Sequence, residues 1–251
     1  MLKIENLTKS FGGVVATNDV TLHFEPATLS AIIGPNGAGK TTFFNLITGG
    51  LRPDSGRIVF DGEDITGYDS QTTVRRGIGR AFQVANLFPE FTVREALTIA
   101  VLSHRQQTAR LTVQFSTVKA HTRADEIMEM FGLQDRAGVL SKNLSHGDQK
   151  LLDIALALAL DPKVLLLDEP TAGMGPEERW KMMDMIHKLW QDERMTLIFI
   201  EHDMDIVFKI AQTVRVLCYG KVLAEGTPAD IRSDPEVVKA YLGENFEEMA
   251  Q

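Results

Sequence analysis

The sequence predicts an α/β fold with a mixed sheet, an N-terminal antiparallel β subdomain and an inserted α-helical subdomain. Three observations carry the prediction. Apolar residues alternate through the opening segment, as half-buried strands require. Helical periodicity takes over from about Phe88 to Leu160. Two apolar runs then follow, Val164 to Leu167 and Leu197 to Ile200, with no polar alternation, which marks strands buried on both faces.

The elements follow in order. Leu2, Ile4 and Leu7 alternate as a strand, as do Val14-Val15-Ala16 and Val20, Leu22 and Phe24, with Gly12-Gly13 as a hairpin turn between the first two. Leu29 to Ile33 is an apolar strand, and a helix-like stretch, Thr42 to Ile47, lies beyond it. Leu51 to Gly56 is dense in turn formers, and the strand Arg57 to Phe60 is closed by Asp61-Gly62. Thr92 with Glu95 three residues on has the form of a capping box. Ala124 to Phe131 reads as an amphipathic helix ended by Gly132, and the polar stretch from His104 to His121 as a loop or a short helical excursion. Strand and helix then alternate: Lys163 to Asp168, Glu177 to Gln191, Thr196 to Ile200 and Met204 to Ala211. Thr213 to Leu217 with Lys221 to Leu223 forms a hairpin, and short helices follow from Pro228, with Glu244 to Gln251 frayed.

Composition sets limits on function. At 251 residues, with 44% hydrophobic and 24% charged positions, the chain can bury a sizeable core. A net charge of -8 argues against a broad basic surface for nucleic acid. The single cysteine, Cys218, leaves no internal disulfide framework and suits a reducing compartment. Charges interrupt Met1 to Asn6, so no signal peptide is expected, and no apolar run is long enough to span a bilayer.

Gly34-Pro35-Asn36-Gly37-Ala38-Gly39-Lys40-Thr41 fits the phosphate-loop pattern G-x-x-x-x-G-K-[ST], with a strand before it and a helix from Thr42 after it. Glycines let the backbone wrap so that N–H groups point at an anion, and the helix start adds partial positive charge. Lys40 would reach the β- and γ-phosphates and the Thr41 hydroxyl would sit on Mg²⁺. The fold class is therefore a phosphate-loop NTPase core, and a nucleoside triphosphate is the expected ligand.

Val164-Leu165-Leu166-Leu167-Asp168-Glu169 has the form of a Walker B strand. Asp168 would hold Mg²⁺, and Glu169 would polarise the attacking water. His202, two residues past the next strand, would donate to the leaving phosphoryl group. Gln83 would ligate Mg²⁺ through its amide oxygen and orient water through its nitrogen. His202 and Gln83 are also ordinary loop residues when taken singly. In Leu144-Ser145-His146-Gly147-Asp148-Gln149, a serine and a glycine precede a helix running from Lys150 to Leu160, a second anion site with no ligand of its own in one chain.

With these motifs in this order, the chain resembles the ATP-binding subunit of an ATP-binding-cassette (ABC) transporter over essentially its whole length. The resemblance implies one ATPase domain, with 1–87 and 161–251 as core and β layer and 88–160 as the helical subdomain carrying the signature. It implies that Ser145 and Gly147 act in trans on nucleotide held by a second ATPase subunit, and that Phe11 stacks on adenine. Gln83 falls at the Q-loop, Glu169 at the catalytic glutamate and His202 at the switch histidine. Two departures stand out. His146 and Asp148 replace a glycine and a glutamine of the usual LSGGQ, and Thr171-Ala172-Gly173-Met174 lacks the acid of the usual D-loop. Activity is still expected, with altered local shape or charge.

Arg80-Ala81-Phe82-Gln83 before Leu87-Phe88-Pro89, the signature, the D-loop form and the ending Ala240-Tyr241-Leu242-Gly243 resemble ATPases of branched-chain amino acid importers and their urea or amide relatives. The implied partners are a second ATPase subunit, self or paralogue, two transmembrane permease subunits and, indirectly, a solute-binding protein, at the cytoplasmic face of the membrane. A non-transport ABC ATPase, a small-molecule kinase and an exporter ATPase are the alternatives. The chain lacks the inserted coiled coils or second cassette of the first, and the second has no use for the Leu144–Gln149 signature.

Overall fold

A computed structural model describes residues 1–81, 88–108 and 117–240. Its strands are β1 (Leu2–Phe11), β2 (Val14–Phe24), β3 (Leu29–Ile33), β4 (Ser55–Phe60), β5 (Glu63–Asp64), β6 (Ile78–Ala81), β7 (Val164–Asp168), β8 (Thr196–Ile200), β9 (Thr213–Cys218) and β10 (Lys221–Gly226). Its helices are α1 (Lys40–Ile47), α2 (Ser70–Arg76), α3 (Val93–Thr108), α4 (Thr117–Met130), α5 (His146–Leu158), α6 (Pro176–Glu193), α7 (Met204–Ile210) and α8 (Pro228–Ser233). The chain divides into two compact units, Met1–Thr73 with Arg194–Gln251, and Val74–Glu193.

The first unit holds an antiparallel layer in the order β2-β1-β4-β5. Its two hairpins turn on two residues each, Gly12-Gly13 and Asp61-Gly62, all four at positive φ, as the twist-matched I′ turn demands. The two apolar groups expected as separate strands after Gly13 form one strand, β2. The step of three between Ile4 and Leu7 is a bulge: Asn6 takes φ 51° and the pairing with β2 shifts register there. Leu2, Ile4 and Leu7 are thereby all buried. The unit's second sheet places β3 between β8 and β9, parallel to both, with β10 antiparallel to β9. Every residue of β3 and of β8 is buried, Ser30 and Thr196 included, which explains why both read as apolar with no polar alternation.

The second unit pairs β6 with β7 in parallel, Ile78 opposite Val164 and Ala81 opposite Leu167. The capping box at α3 is present in both directions: the Thr92 N–H donates to Glu95 Oε2 at 2.8 Å, and the Glu95 N–H donates to Thr92 Oγ1 at 3.3 Å. The stretch expected as a loop or short excursion is helical at both ends, since α3 runs to Thr108 and α4 begins at Thr117. Propensity misleads there because Val101 and Ala120 are buried, and tertiary packing stabilises the flanking turns. The signature helix begins at His146 rather than Lys150, with Ser145 as its cap. No helix among the described residues is long and apolar enough to cross a membrane.

Candidate functional site

The phosphate loop joins β3 to α1, and its glycines divide by what surrounds them. Gly34 has φ 151°, and a Cβ there would stand 2.0 Å from the Leu217 carbonyl oxygen. Gly39 has φ 97°, and its Cβ would meet the Ala16 carbonyl oxygen at 2.0 Å. Both admit only glycine because neighbouring main chain presses on them. Gly37, at φ 76°, faces open space. The loop is thus clamped on its protein side and open at its crest, where Asn36, Gly37 and Thr41 are exposed and Pro35 and Ala38 are buried.

A third hairpin supplies part of the clamp. Tyr219-Gly220 turns β9 into β10, and the Gly220 N–H donates to the Ala38 carbonyl at 3.1 Å. The Gly220 carbonyl in turn accepts from the Asn18 N–H at 2.7 Å. The Lys40 ammonium, mostly buried, donates to the carbonyls of Gly34 at 2.6 Å and Pro35 at 3.0 Å, so its charge lies within the loop. Thr41 and the half-buried Thr42 follow in the first turn of α1. A rigid loop, an enclosed ammonium and an exposed hydroxyl at a helix start form a donor set suited to a phosphate chain.

His202 is exposed and lies two residues past Ile200, which pairs with Ile32. Gly34 lies two residues past Ile32, so the parallel register brings both out of the sheet at the same level. Asp203 then caps α7, accepting from the Asp205 and Ile206 N–H groups. Phe11, at the end of β1, keeps 45% of its surface exposed, with the Lys9 ammonium 5.6 Å from its ring centroid. That ammonium is itself held by Asp54 at 2.7 Å, and the exposed part of the ring is an aromatic surface able to stack.

The second unit presents the carboxylates. Asp168 ends β7, and its buried carboxylate accepts from Arg80 at 2.7 Å, from the strand beside it. The oxygen donors proposed for the metal, the Asp168 carboxylate and the Thr41 hydroxyl, are of the hard kind Mg²⁺ prefers. Glu169 is half-buried at φ 49°, in the left-handed region, so the chain turns as it leaves the strand. Ser145 caps α5, its hydroxyl accepting from the Asp148 N–H at 3.1 Å. Gly147 is half-buried in the first turn, open apart from the Met174 Cε 4.0 Å from where its Cβ would be. Gln83 lies outside the described residues.

Two charged residues of α5 went unnoticed in the sequence. Lys150 and Asp153 are both buried and, with Asp168 and Glu169, line a small cavity. Burial pushes the Asp153 carboxyl up to about 7, against the opposing pull of the Lys150 ammonium. An acid raised in this way keeps its proton in the fold and surrenders it more readily when unfolded. The stability this gives is full below the unfolded value near 3.8 and is lost as pH rises through about 7. Asp153→Asn should therefore melt above the wild type at about pH 8, with the gap closing toward about pH 5. Thermal melts across that range check this, and parallel curves would contradict it.

Comparisons with known proteins bear on the chain as a whole. The family model described as ABC transporter matches residues 17–172, and that of the branched-chain amino acid ATP-binding cassette transporter matches residues 221–247. The chain is 38% identical over 252 residues to the high-affinity branched-chain amino acid transport ATP-binding protein LivG of Escherichia coli (strain K12), covering 97% of this chain and 98% of LivG. It is 36% identical to the lipopolysaccharide export system ATP-binding protein LptB of Haemophilus influenzae, over 98% of each. Among solved structures, the ADP conformation of MJ1267, an ATP-binding cassette of an ABC transporter, aligns with a TM-score of 0.84 at 32% identity, over 97% of this chain and 98% of that one. The dimeric post-hydrolysis state of the cassette MJ0796, bound to ADP and Pi, aligns with a TM-score of 0.78 at 27% identity, over 91% and 99%.

Proposed function

The chain belongs to the ABC transporter family, whose members couple ATP hydrolysis to transport, and from that premise we propose that it powers import of branched-chain amino acids or related small polar solutes. The observation that supports this best is the match of residues 221–247 to the model for branched-chain amino acid cassettes, beside the likeness to LivG. The proposed assembly is two ATPase subunits docked on two permease subunits at the cytoplasmic face of the membrane, served by a solute-binding protein. The chain forms one ATPase domain in this reading, its helical part, 88–160, carrying the signature.

In the proposed cycle the phosphate loop, residues 34–42, holds the nucleotide's phosphates, Lys40 reaching toward the β- and γ-groups and Phe11 stacking on adenine. Mg²⁺, when bound at Thr41, Asp168 and Gln83, supplies charge neutralisation for the phosphates. Glu169 takes the proton of the attacking water, and His202 donates to the leaving phosphoryl group. Ser145 and Gly147 close on the nucleotide held by the partner subunit, so ATP favours the closed pair by its differential affinity. Hydrolysis removes the bridging charge, and the permease subunits convert opening into alternating access.

The likeness to LptB supports a second reading, export of a lipid-linked solute by the same cassette on other membrane partners. Deleting the chain's gene in its host separates the two. Loss of radiolabelled leucine, urea or amide uptake, restored by the wild-type gene and not by one carrying Glu169→Gln, is the expected result. Unaltered uptake of all these solutes with loss of an exported surface lipid would favour the second reading.

A further inference from the structure

The Lys150 ammonium has no part in the cycle above, yet it is placed with great economy. It lies on α5, five residues past the cap Ser145, with only 8% of the residue exposed. Burying an ammonium is costly unless its hydrogens are matched by acceptors. Three main-chain carbonyls lie within its reach: Glu169 at 3.3 Å, Pro170 at 3.4 Å and Ala172 at 2.5 Å. All three belong to the turn that leaves β7, where Glu169 is left-handed. In the same turn the Ala172 N–H donates to the Glu169 carbonyl and the Met174 N–H to the Thr171 carbonyl, each at 3.1 Å. The first residue of α5 touches the same segment, since a Cβ on Gly173 would come 3.4 Å from His146 Nε2. The signature helix therefore lies close to the segment 169–173 at its first turn and is hydrogen-bonded to it at its second.

We infer that Lys150 is a positioning residue for hydrolysis. It fixes the Glu169–Ala172 main chain to the signature helix, so that the helix start that closes on the partner's nucleotide and the carboxylate that acts on the chain's own nucleotide move together. The inference rests on the reading of Glu169 as the water-polarising base. An ammonium suits this task better than an amide, because it offers three donors to carbonyls that converge from a turn rather than from a ladder. Its charge also strengthens each bond relative to a neutral donor. When the ammonium is removed, the turn keeps its own two hydrogen bonds and the neighbouring His146 but loses the three bonds that tie it to the second turn of α5. A displacement of the base on the order of 1 Å is enough to cost up to roughly 100-fold in rate.

The test uses the full chain carrying Lys150→Met, which keeps the length and removes the donors. Its kcat for ATP should fall roughly 10- to 100-fold with KM for ATP within about twofold of wild type, a split that general loss of folded protein does not produce. The Ala172 and Met174 amides should exchange with deuterium roughly tenfold faster, while those of Ala155 to Leu158 keep the wild-type rate. Lys150→Arg, which restores charged donors, should recover both readouts in part. Turnover near wild type in Lys150→Met, or unchanged exchange at Ala172 and Met174, would overturn the inference. Should that variant fail to fold, Lys150→Gln is read by the same criteria. Glu169→Gln, run alongside, separates the two ideas. If it is inactive while Lys150→Met is fully active, only the positioning role fails. If Glu169→Gln retains wild-type turnover, the base assignment fails, while the exchange data still report the attachment.

Discussion

Glu169→Gln should lower steady-state ATP hydrolysis by roughly 100-fold or more while leaving ATP binding intact, the loss typical of removing a positioned general base. The amide matches the carboxylate in shape but cannot take a proton from water. Glu169 is half-buried and leaves β7 in the left-handed region, a conformation that glutamine adopts about as readily, so the backbone has no new reason to move. With hydrolysis blocked, ATP remains on the phosphate loop and the closed pair accumulates. Size exclusion with light scattering on this variant should therefore show monomer becoming dimer when Mg-free ATP is added. A variant that binds ATP and stays monomeric would assign the second ATPase position to a paralogue or require the permease subunits for closure. Wild-type turnover at saturating ATP would refute the role given to Glu169.

Gly39→Ala should abolish high-affinity nucleotide binding, and Gly37→Ala should be far milder for the fold. Both positions have positive φ, so each alanine meets a backbone cost of about 1–3 kcal/mol. They differ in what the new methyl meets. At Gly39 it would overlap the Ala16 carbonyl oxygen at 2.0 Å, and β2 or the loop must shift. At Gly37 nothing lies within 4 Å. Thermal melts and fluorescent-nucleotide titrations of both variants check the contrast. Equal melting temperatures for the two would show that the contact with Ala16 does not set the loop's shape.

The difference between what was legible and what was not is one of sequence distance. The phosphate loop could be read because its donors are consecutive residues and its flanking strand and helix are adjacent. The three tight turns were announced by glycine at positions that must turn left. In contrast, the Arg80–Asp168 pair spans 88 positions, and no local pattern foretells it. β6 was missed because Ile78-Gly79-Arg80-Ala81 is short and mixes a glycine with a charge, and its pairing with β7 comes only from the tertiary fold. Lys150 resembled any lysine on a polar helix start. Its burial goes with carbonyl acceptors 19 to 22 positions away, in a turn whose left-handed Glu169 ordinary propensity disfavours. The shape of β1 lay between these cases: the spacing of Leu2, Ile4 and Leu7 was visible, but its meaning as a bulge emerged only from the left-handed Asn6.

The hairpin at Tyr219-Gly220, which fastens the phosphate loop through Ala38, has a consequence for how the protein is made. During synthesis the loop and α1 leave the ribosome early, but Gly220 follows only after α6, β8, α7 and β9 have been translated. A nascent chain therefore carries the residues of its nucleotide site long before it carries the fastening that shapes them. Tight binding is therefore expected only once the β9–β10 hairpin has been made and the Gly220 N–H can reach the Ala38 carbonyl. A ribosome-stalled chain ending before Gly220 should thus carry the complete motif and bind nucleotide weakly.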